Sequence, residues 1–310
     1  MPNGRRGVIR LFRIAGIDVF LHWSWFLIAV FEIQSRARSY SSITWNVLEY
    51  LALFAIVLLH EFGHSLACRQ VGGKANRIVL WPLGGVAFVD PPQRPGATLW
   101  SIVAGPLVNV ALLPLLYAGY HFSRYQIGVS LNLYLWFQAI LFINKVLLVF
   151  NLLPIYPLDG GQILRSLLWF VMGRARSLLV VTVLGFIGVA GFIVLGFWVH
   201  SPWYVFIAVF ALMNCWSGLK HARMLLRVAK LPRREGFACP GCHSAPPQGD
   251  CWICGNCHEP FDIFEAPAVC PSCLARFTTS ICLECGAAHP VGEWAVPSSA
   301  AKASIPASTT

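Results

Sequence analysis

The sequence predicts an all-α polytopic membrane protein of about six transmembrane helices, with a small β-hairpin at its cytoplasmic side and a separate cysteine-rich domain at its C-terminal end. Three observations lead there. Hydrophobic residues make up 57% of the 310 and charged residues only 12%, about half the charged share of a soluble domain. Apolar runs at 18–33, 47–67, 99–120, 131–152, 178–199 and 202–219 each approach the ~20 residues that a hydrocarbon core demands. Nine of the eleven cysteines are gathered between Cys239 and Cys285. The expected organisation is a membrane domain at 1–230, a charged linker at 231–236, a cysteine-rich domain at 237–294 and a small-residue tail at 295–310, whose composition is that of a disordered segment.

The formal charge of +10 reads as topology rather than as a nucleic-acid surface. With a cytoplasmic N-terminus and six crossings, seventeen Arg and Lys residues face the cytoplasm, against Arg36, Arg38 and Arg124 outside. Both termini are then cytoplasmic, and the cell membrane is the expected location. Arg5 and Arg6 ahead of an apolar stretch mimic a secretory signal, but no small-x-small cleavage site follows, so 18–33 reads as an uncleaved first helix.

The second run carries His60-Glu61-Phe62-Gly63-His64. On a helix His60 and His64 share one face, so both imidazoles can ligate one zinc while Glu61 points at the open position. Ionisable residues within a span cost roughly 2.5–3.5 kcal/mol near its centre and persist with a partner or a task. Residues 1–230 hold six acids, and Glu61 and Asp159 both fall in motifs.

Between the second and third runs, Arg77-Ile78-Val79-Leu80-Trp81 and Val86-Ala87-Phe88-Val89 flank Pro82-Leu83-Gly84-Gly85, which reads as a hairpin. Strands at membrane depth need protein or a water cavity to satisfy their backbone, so the hairpin is expected at the cytoplasmic mouth of the bundle. The third run contains Ala104-Gly105-Pro106-Leu107-Val108-Asn109, whose small residues suit close helix packing. The fourth carries Lys145, which the pattern leaves without an account, and ends in Asn151-Leu152-Leu153-Pro154-Ile155-Tyr156-Pro157-Leu158-Asp159-Gly160-Gly161. Two prolines and two glycines break the helix there and set Asp159 on irregular backbone, of the kind that lines a site. The second and fourth runs cross in the same direction, so His64 and Asp159 arrive at the same face. The stretch 160–173 reads either as a short interfacial helix or as a plain loop.

These segments in order, His-Glu-Phe-Gly-His, Gly84-Gly85, Ala-Gly-Pro-Leu-x-Asn and Asn-Leu-Leu-Pro-x-x-Pro-Leu-Asp-Gly, resemble the site-2 protease family of intramembrane zinc metalloproteases over most of residues 10–170. The resemblance implies a metal held by His60, His64 and Asp159, with Glu61 as catalytic base and Asn151 as a donor to the oxyanion or substrate. It also implies substrate contact at Gly84, Gly85 and Val86 and at Asn109. A set of two imidazoles and one carboxylate leaves zinc's fourth position open, which marks a catalytic site.

The tail holds Cys239-x-x-Cys242, Cys254-x-x-Cys257, Cys270-x-x-Cys273 and Cys282-x-x-Cys285. Four such pairs make two four-thiolate zinc knuckles and resemble tandem zinc ribbons. Cys251 is spare, or pairs with Cys254. The implied inventory is three zinc ions, one catalytic and two structural. Acids match or exceed bases within 239–294, which disfavours nucleic acid and favours a cytoplasmic protein partner for the ribbons.

The expected function is an intramembrane zinc metalloendopeptidase that hydrolyses peptide bonds in or near transmembrane segments within the lipid bilayer, in regulated intramembrane proteolysis. The alternative is a non-catalytic membrane adaptor that uses its ribbons for binding, but such a protein gains nothing from an open metal position.

Overall fold

The computed structural model describes residues 7–36, 39–81, 84–125, 130–200, 202–265 and 268–296. Arg5, Arg6, Arg38, Pro82, Leu83 and positions 297–310 of the expected tail lie outside them. The chain divides into two compact units, Met1–Pro91 with Pro95–Ser217, and Pro92–Arg94 with Gly218–Thr310.

The first unit opens with strands β1 (Val8–Ile14) and β2 (Ile17–His22), followed by the helices α1 (Ser24–Ser35) and α2 (Ile43–Gln70). Strands β3 (Lys74–Trp81) and β4 (Gly84–Asp90) come next, then α3 (Pro95–Tyr125), α4 (Leu131–Leu152), α5 (Asp159–Trp198) and α6 (Pro202–Ala229), whose residues from Gly218 onward belong to the second unit. Helices α2 to α6 are the five, among the described residues, that are long and apolar enough to cross a membrane. The run at 18–33, expected as a sixth span, is divided between β2 and the twelve-residue α1. At 1.5 Å per residue α1 reaches about 18 Å, well short of a ~30 Å core. The reason is visible in β2, where Ile17, Val19 and Leu21 alternate inward with the period of a strand.

The expected hairpin is present, with β3 and β4 antiparallel. It forms half of a four-stranded sheet in the order β1-β2-β3-β4. The Ala15-Gly16 turn joins β1 to β2 with both residues at positive φ, as a type I′ hairpin requires. Strand β2 then runs parallel to β3, with α1 and α2 as the crossover. Ile17, Val19, Leu21, Ile78 and Leu80 pack with Trp25 and Val57 in one core. The Arg69 side chain, near the end of α2, donates to the carbonyls of Ala15, Gly16 and Ala75, the last at 2.8 Å. One guanidinium thus ties the metal-motif helix to the sheet.

Helix α5 is two helices. Gly173 at φ 78° and ψ 170° interrupts it, so 159–172 is the short helix anticipated in one reading of 160–173, and 174–198 is the span. The second half doubles back, because Gly188 lies against Ile155, which precedes the first half in sequence. Cys215 of α6 packs beside Gly185 and donates to the Tyr156 carbonyl at 3.2 Å. Lys145 is accounted for by Tyr117, whose hydroxyl lies 2.8 Å from Nζ and whose ring centroid lies 4.5 Å away.

In the second unit, β5 (Trp252–Ile253) pairs with β6 (Pro260–Phe261) and β7 (Thr279–Ile281) with β8 (Ala288–Pro290). Trp252, Phe261, Ile263, Phe264 and Trp294 form its core with the cysteines. The charged stretch 231–236, expected as a linker, is bound into this unit: Arg233 meets Glu284 at 2.7 Å and Arg234 meets the buried Asp262 at 2.6 Å. Each Cys-x-x-Cys turn repeats one backbone pattern, in which the residue four places after the first cysteine donates to that cysteine's carbonyl. That residue takes positive φ in all four: His243, His258, Leu274 and Gly286. Leu274 has the side chain least suited to it, since αL costs a non-glycine residue roughly 1–2 kcal/mol. Leu274 is exposed, so Leu274→Gly should raise the stability of the second unit by about 1 kcal/mol, after glycine's unfolded-state entropy is set against the relief. Thermal unfolding of the zinc-loaded chain, followed by tryptophan fluorescence, would detect the shift.

Candidate metal centre

His60 and His64 stand one turn apart in the last third of α2, both buried. Asp159 reaches them from the first turn of α5, where free amide groups favour a carboxylate. The chain returns so tightly from α4 to α5 that a Cβ on Gly160 would lie 2.3 Å from the Leu152 carbonyl oxygen, and one on Gly161 2.6 Å from the Ile155 carbonyl carbon. The two glycines after Asp159 are what let the carboxylate arrive.

The three donor atoms converge. His60 Nε2 lies 3.0 Å from Asp159 Oδ2 and 3.0 Å from His64 Nε2, and the third edge is 3.3 Å. Ligands at about 2.05 Å in a regular tetrahedron lie about 3.3 Å apart, so the triangle has the size of a zinc face.

Both imidazole tautomers are set from behind. His64 Nδ1 faces the Ser101 carbonyl at 2.9 Å, and a carbonyl only accepts, so Nδ1 carries the proton and Nε2 is a bare lone pair. For His60 the same is achieved in two steps. Asn144 Nδ2 donates to the Asn109 carbonyl at 3.0 Å, which turns its Oδ1 toward Asn109 Nδ2 at 2.8 Å, which in turn leaves Asn109 Oδ1 to accept from His60 Nδ1 at 2.6 Å. Two lone pairs and a carboxylate oxygen within 3.3 Å of one another repel unless a cation lies among them, and the donor set fits zinc. Gly105 closes the cradle: a Cβ there would lie 2.3 Å from His64 Nε2 and 2.9 Å from His60 Cε1.

Glu61 is buried, and its Oε2 accepts the Ala87 amide hydrogen at 2.9 Å. Ala87 lies opposite Ile78 in the β3–β4 ladder. Since its N–H points to Glu61, strand alternation directs the amides of Val86 and Phe88 toward β3 and leaves Ala87 on the free edge.

The remaining sequence-selected residues fall as follows. Asn109 is fully buried, with its Oδ1 2.6 Å from His60 Nδ1. Asn144, which no motif marked, is its partner, and the sequence signal was only a polar residue beside Lys145. Asn151 lies half-buried in the last turn of α4 and makes no hydrogen bond to the triad or to Glu61. Gly84 and Gly85 lie in β4 opposite Trp81 and Leu80, and Val86 is opposite Val79, its side chain outside the described residues.

In the second unit the thiols gather as Cys239, Cys242, Cys282 and Cys285, and as Cys254, Cys257, Cys270 and Cys273. Sulfurs from different pairs approach to 3.7 Å in the first cluster and to 3.5 and 3.7 Å in the second, close to the ~3.8 Å edge of a tetrahedron with Zn–S of about 2.3 Å. The pairing is nested, the first Cys-x-x-Cys with the fourth and the second with the third. Although burial pushes the Cys242 thiol up, hydrogen bonds from Ser244 bring it down to about 7. The Ala275 amide and Asn256 bring Cys273 to about 6. One thiolate is therefore accessible at neutral pH in each cluster, while, against the pull of the Glu259 amide, hydrogen bonds among the sulfurs push Cys257 up to about 12 and burial pushes Cys282 up. Cys251 belongs to neither.

The sequence matches the profile of Peptidase family M50 over residues 49–133 and 125–195. It is 38% identical over 170 residues to a zinc metalloprotease of Methanocaldococcus jannaschii, covering 54% of this chain and 48% of that one. It is 34% identical over 125 residues to stage IV sporulation protein FB of Bacillus subtilis, covering 39% and 41%. The chain thus spans less than half the length of either curated relative. Among solved structures, the site-2 protease from Methanocaldococcus jannaschii superposes with a TM-score of 0.51 at 31% identity, over 68% of this chain and 95% of that one.

Two substitutions probe the centre. Gly105→Ala should displace the histidine rings and lower the zinc content of purified protein by one equivalent while the cysteine clusters keep theirs. Asn144→Leu leaves the ligands in place but frees the Asn109 amide to turn, and should weaken binding at this centre by roughly 10–100-fold in chelator competition.

Proposed function

The chain belongs to peptidase family M50, the site-2 protease family, and on that premise we propose that it is an intramembrane zinc metalloendopeptidase, cutting peptide bonds in or near transmembrane segments of other membrane proteins in regulated intramembrane proteolysis. The observation that carries the reading is the convergence of His60, His64 and Asp159 with Glu61 adjacent. Bound among the three, zinc supplies a Lewis acid that lowers a water's pKa to about 7 and polarises the scissile carbonyl.

The protein's own residues supply the rest. Glu61, next to His60 on α2, takes the proton from the attacking water and returns it to the leaving amine. Asn151 is assigned as donor to the developing oxyanion, reaching it once substrate orders the end of α4. A substrate helix keeps its carbonyls in its own hydrogen bonds and must unwind before attack. Strand addition onto the free edge of β4, at Gly85 and the Ala87 carbonyl, would satisfy the released groups and lay the chain beside Glu61.

We place the sheet in the cytoplasm, since Arg10, Arg13, Arg69, Lys74 and Arg77 lie on it or at the adjoining end of α2. Because β2 pairs in parallel with β3, α1 and the residues after it carry the chain from the sheet to the far end of α2, and the five crossings from α2 to α6 return it; both termini are assigned to the sheet's side, the bilayer to the cell membrane and the ribbons to a cytoplasmic protein partner. The ribbons take two structural zinc ions, for three in all.

Metal analysis beside a cleavage assay tests this. Glu61→Gln should retain three zinc per chain and lose cleavage of single-span substrates by at least about 100-fold. Equal turnover in both forms would favour the adaptor. Gly85→Pro removes one outward N–H without touching the β3 ladder or the Ala87–Glu61 hydrogen bond, and should keep the zinc while abolishing cleavage of transmembrane substrates. Unchanged turnover would remove strand addition.

A further inference from the structure

Lys145 places a cation in the exposed apolar stripe of a spanning helix. On α4, Phe142 stands three residues before it and Val149 four after, both exposed, so the three share one face. Ionisable groups are costly at such depth and persist with a partner or a task. Tyr117 on α3 gives the ammonium an oxygen at 2.8 Å and a ring face at 4.5 Å. It supplies no counter-charge: among the described residues no carboxylate lies within ion-pair distance of Lys145.

The ammonium leads away from the nearer membrane face. At 1.5 Å per residue, Lys145 lies about 10 Å from the Leu152 end of α4 and about 21 Å from the Leu131 end. Asn109 and Asn144 bond across α3 and α4 at the level of the metal centre, and Tyr120 meets Tyr134 farther toward Leu131. Tyr117 lies about 12 Å beyond Asn109 in that same direction. Lys145 therefore extends along the longer part of its helix, deeper into the bilayer, where a side chain reaching for a lipid headgroup would turn the other way. A second copy of the chain has no carboxylate to offer from its spans. These hold Glu49, Glu61 and Asp159 alone, and Arg36, the Ala87 amide and the two histidines engage them.

We propose that Lys145 and Tyr117 form an intramembrane docking site for a transmembrane helix of another protein, one that carries an Asp or Glu within the bilayer. The carboxylate pairs with Nζ. Tyr117 accepts from Nζ and so keeps its own O–H to donate to the same carboxylate. Phe142 and Val149 pack against the incoming helix on either side, and the polar pair fixes its level.

The test uses the full-length, zinc-loaded protein in phosphatidylcholine vesicles with a fluorescently labelled oligoleucine helix carrying one central Glu, and an all-Leu helix as control. Energy transfer from the protein's tryptophans to the label reports association, not cleavage, so its outcome is separable from that of the protease assay. The Glu helix should bind about 10-fold more tightly than the all-Leu helix, the order of an intramembrane polar contact. Lys145→Met, which fills similar space without charge and leaves no buried polar group behind, should erase that preference while the all-Leu helix binds as before. Lys145→Arg should keep it, and Tyr117→Phe, which keeps the ring and loses the hydroxyl, should lower it. Equal binding of the two helices by the parent chain would overturn the proposal, as would an undiminished preference in Lys145→Met. A preference abolished by adding phosphatidylglycerol would also overturn it and assign Lys145 to a lipid headgroup.

Discussion

The membrane unit depends on holding three electron-pair donors within 3.3 Å of one another, two of them on the buried face of α2. Such a cluster is repulsive by itself, so the fold must impose it from outside. It does so through groups that cannot reverse their role. The Ser101 carbonyl faces one imidazole directly, and the Asn109 carbonyl orients the other through Asn144 and the Asn109 amide. Both relays end on backbone of α3, so one helix determines which nitrogen of each ring is free. The third donor comes from the return between α4 and α5, where two glycines permit an approach that any side chain would block. Arg69 performs the matching task for the sheet, binding the end of α2 to the strands whose edge holds Glu61.

Much of this was legible in the residues, and the limits have physical causes. The i, i+4 histidines are a local property of one helix and need no tertiary knowledge. The Pro82-Leu83-Gly84-Gly85 signal marked a hairpin for the same reason. Strand β2 was absorbed into an expected span because Ile17, Val19, Phe20 and Leu21 are apolar enough to serve in either, and the Ala15-Gly16 turn lacks the Asn or Asp that flags a type I′ hairpin. Asn144 was invisible because its partner is 35 residues away. Asn109 is hydrogen-bonded to His60, a pairing that the sequence does not reveal because 49 residues separate the two. The fold-back of α5 rests on one glycine among several in an apolar run, and only its positive φ distinguishes it.

The cysteine framework shows the same division. Spacing identifies four turns of one kind, yet four equivalent turns can pair in three ways. Packing around Trp252, Phe264 and Trp294 selects the nested arrangement. The charged stretch 231–236 joins that packing through Arg233 and Arg234 because Glu284 and the buried Asp262 offer carboxylates, a complementarity that composition alone does not reveal.

Nesting makes the two cysteine clusters unequal. Contacts within the inner one bridge 13 and 19 residues of chain, whereas those of the outer one bridge 40 and 46. Closing a loop costs entropy that grows with the free length between its ends. An ion seated in the inner cluster removes much of the slack that the outer must gather, so its affinity passes to its neighbour without any direct contact. Were both clusters to take an ion, the short ring would close at the smaller entropic cost and the long one at the larger.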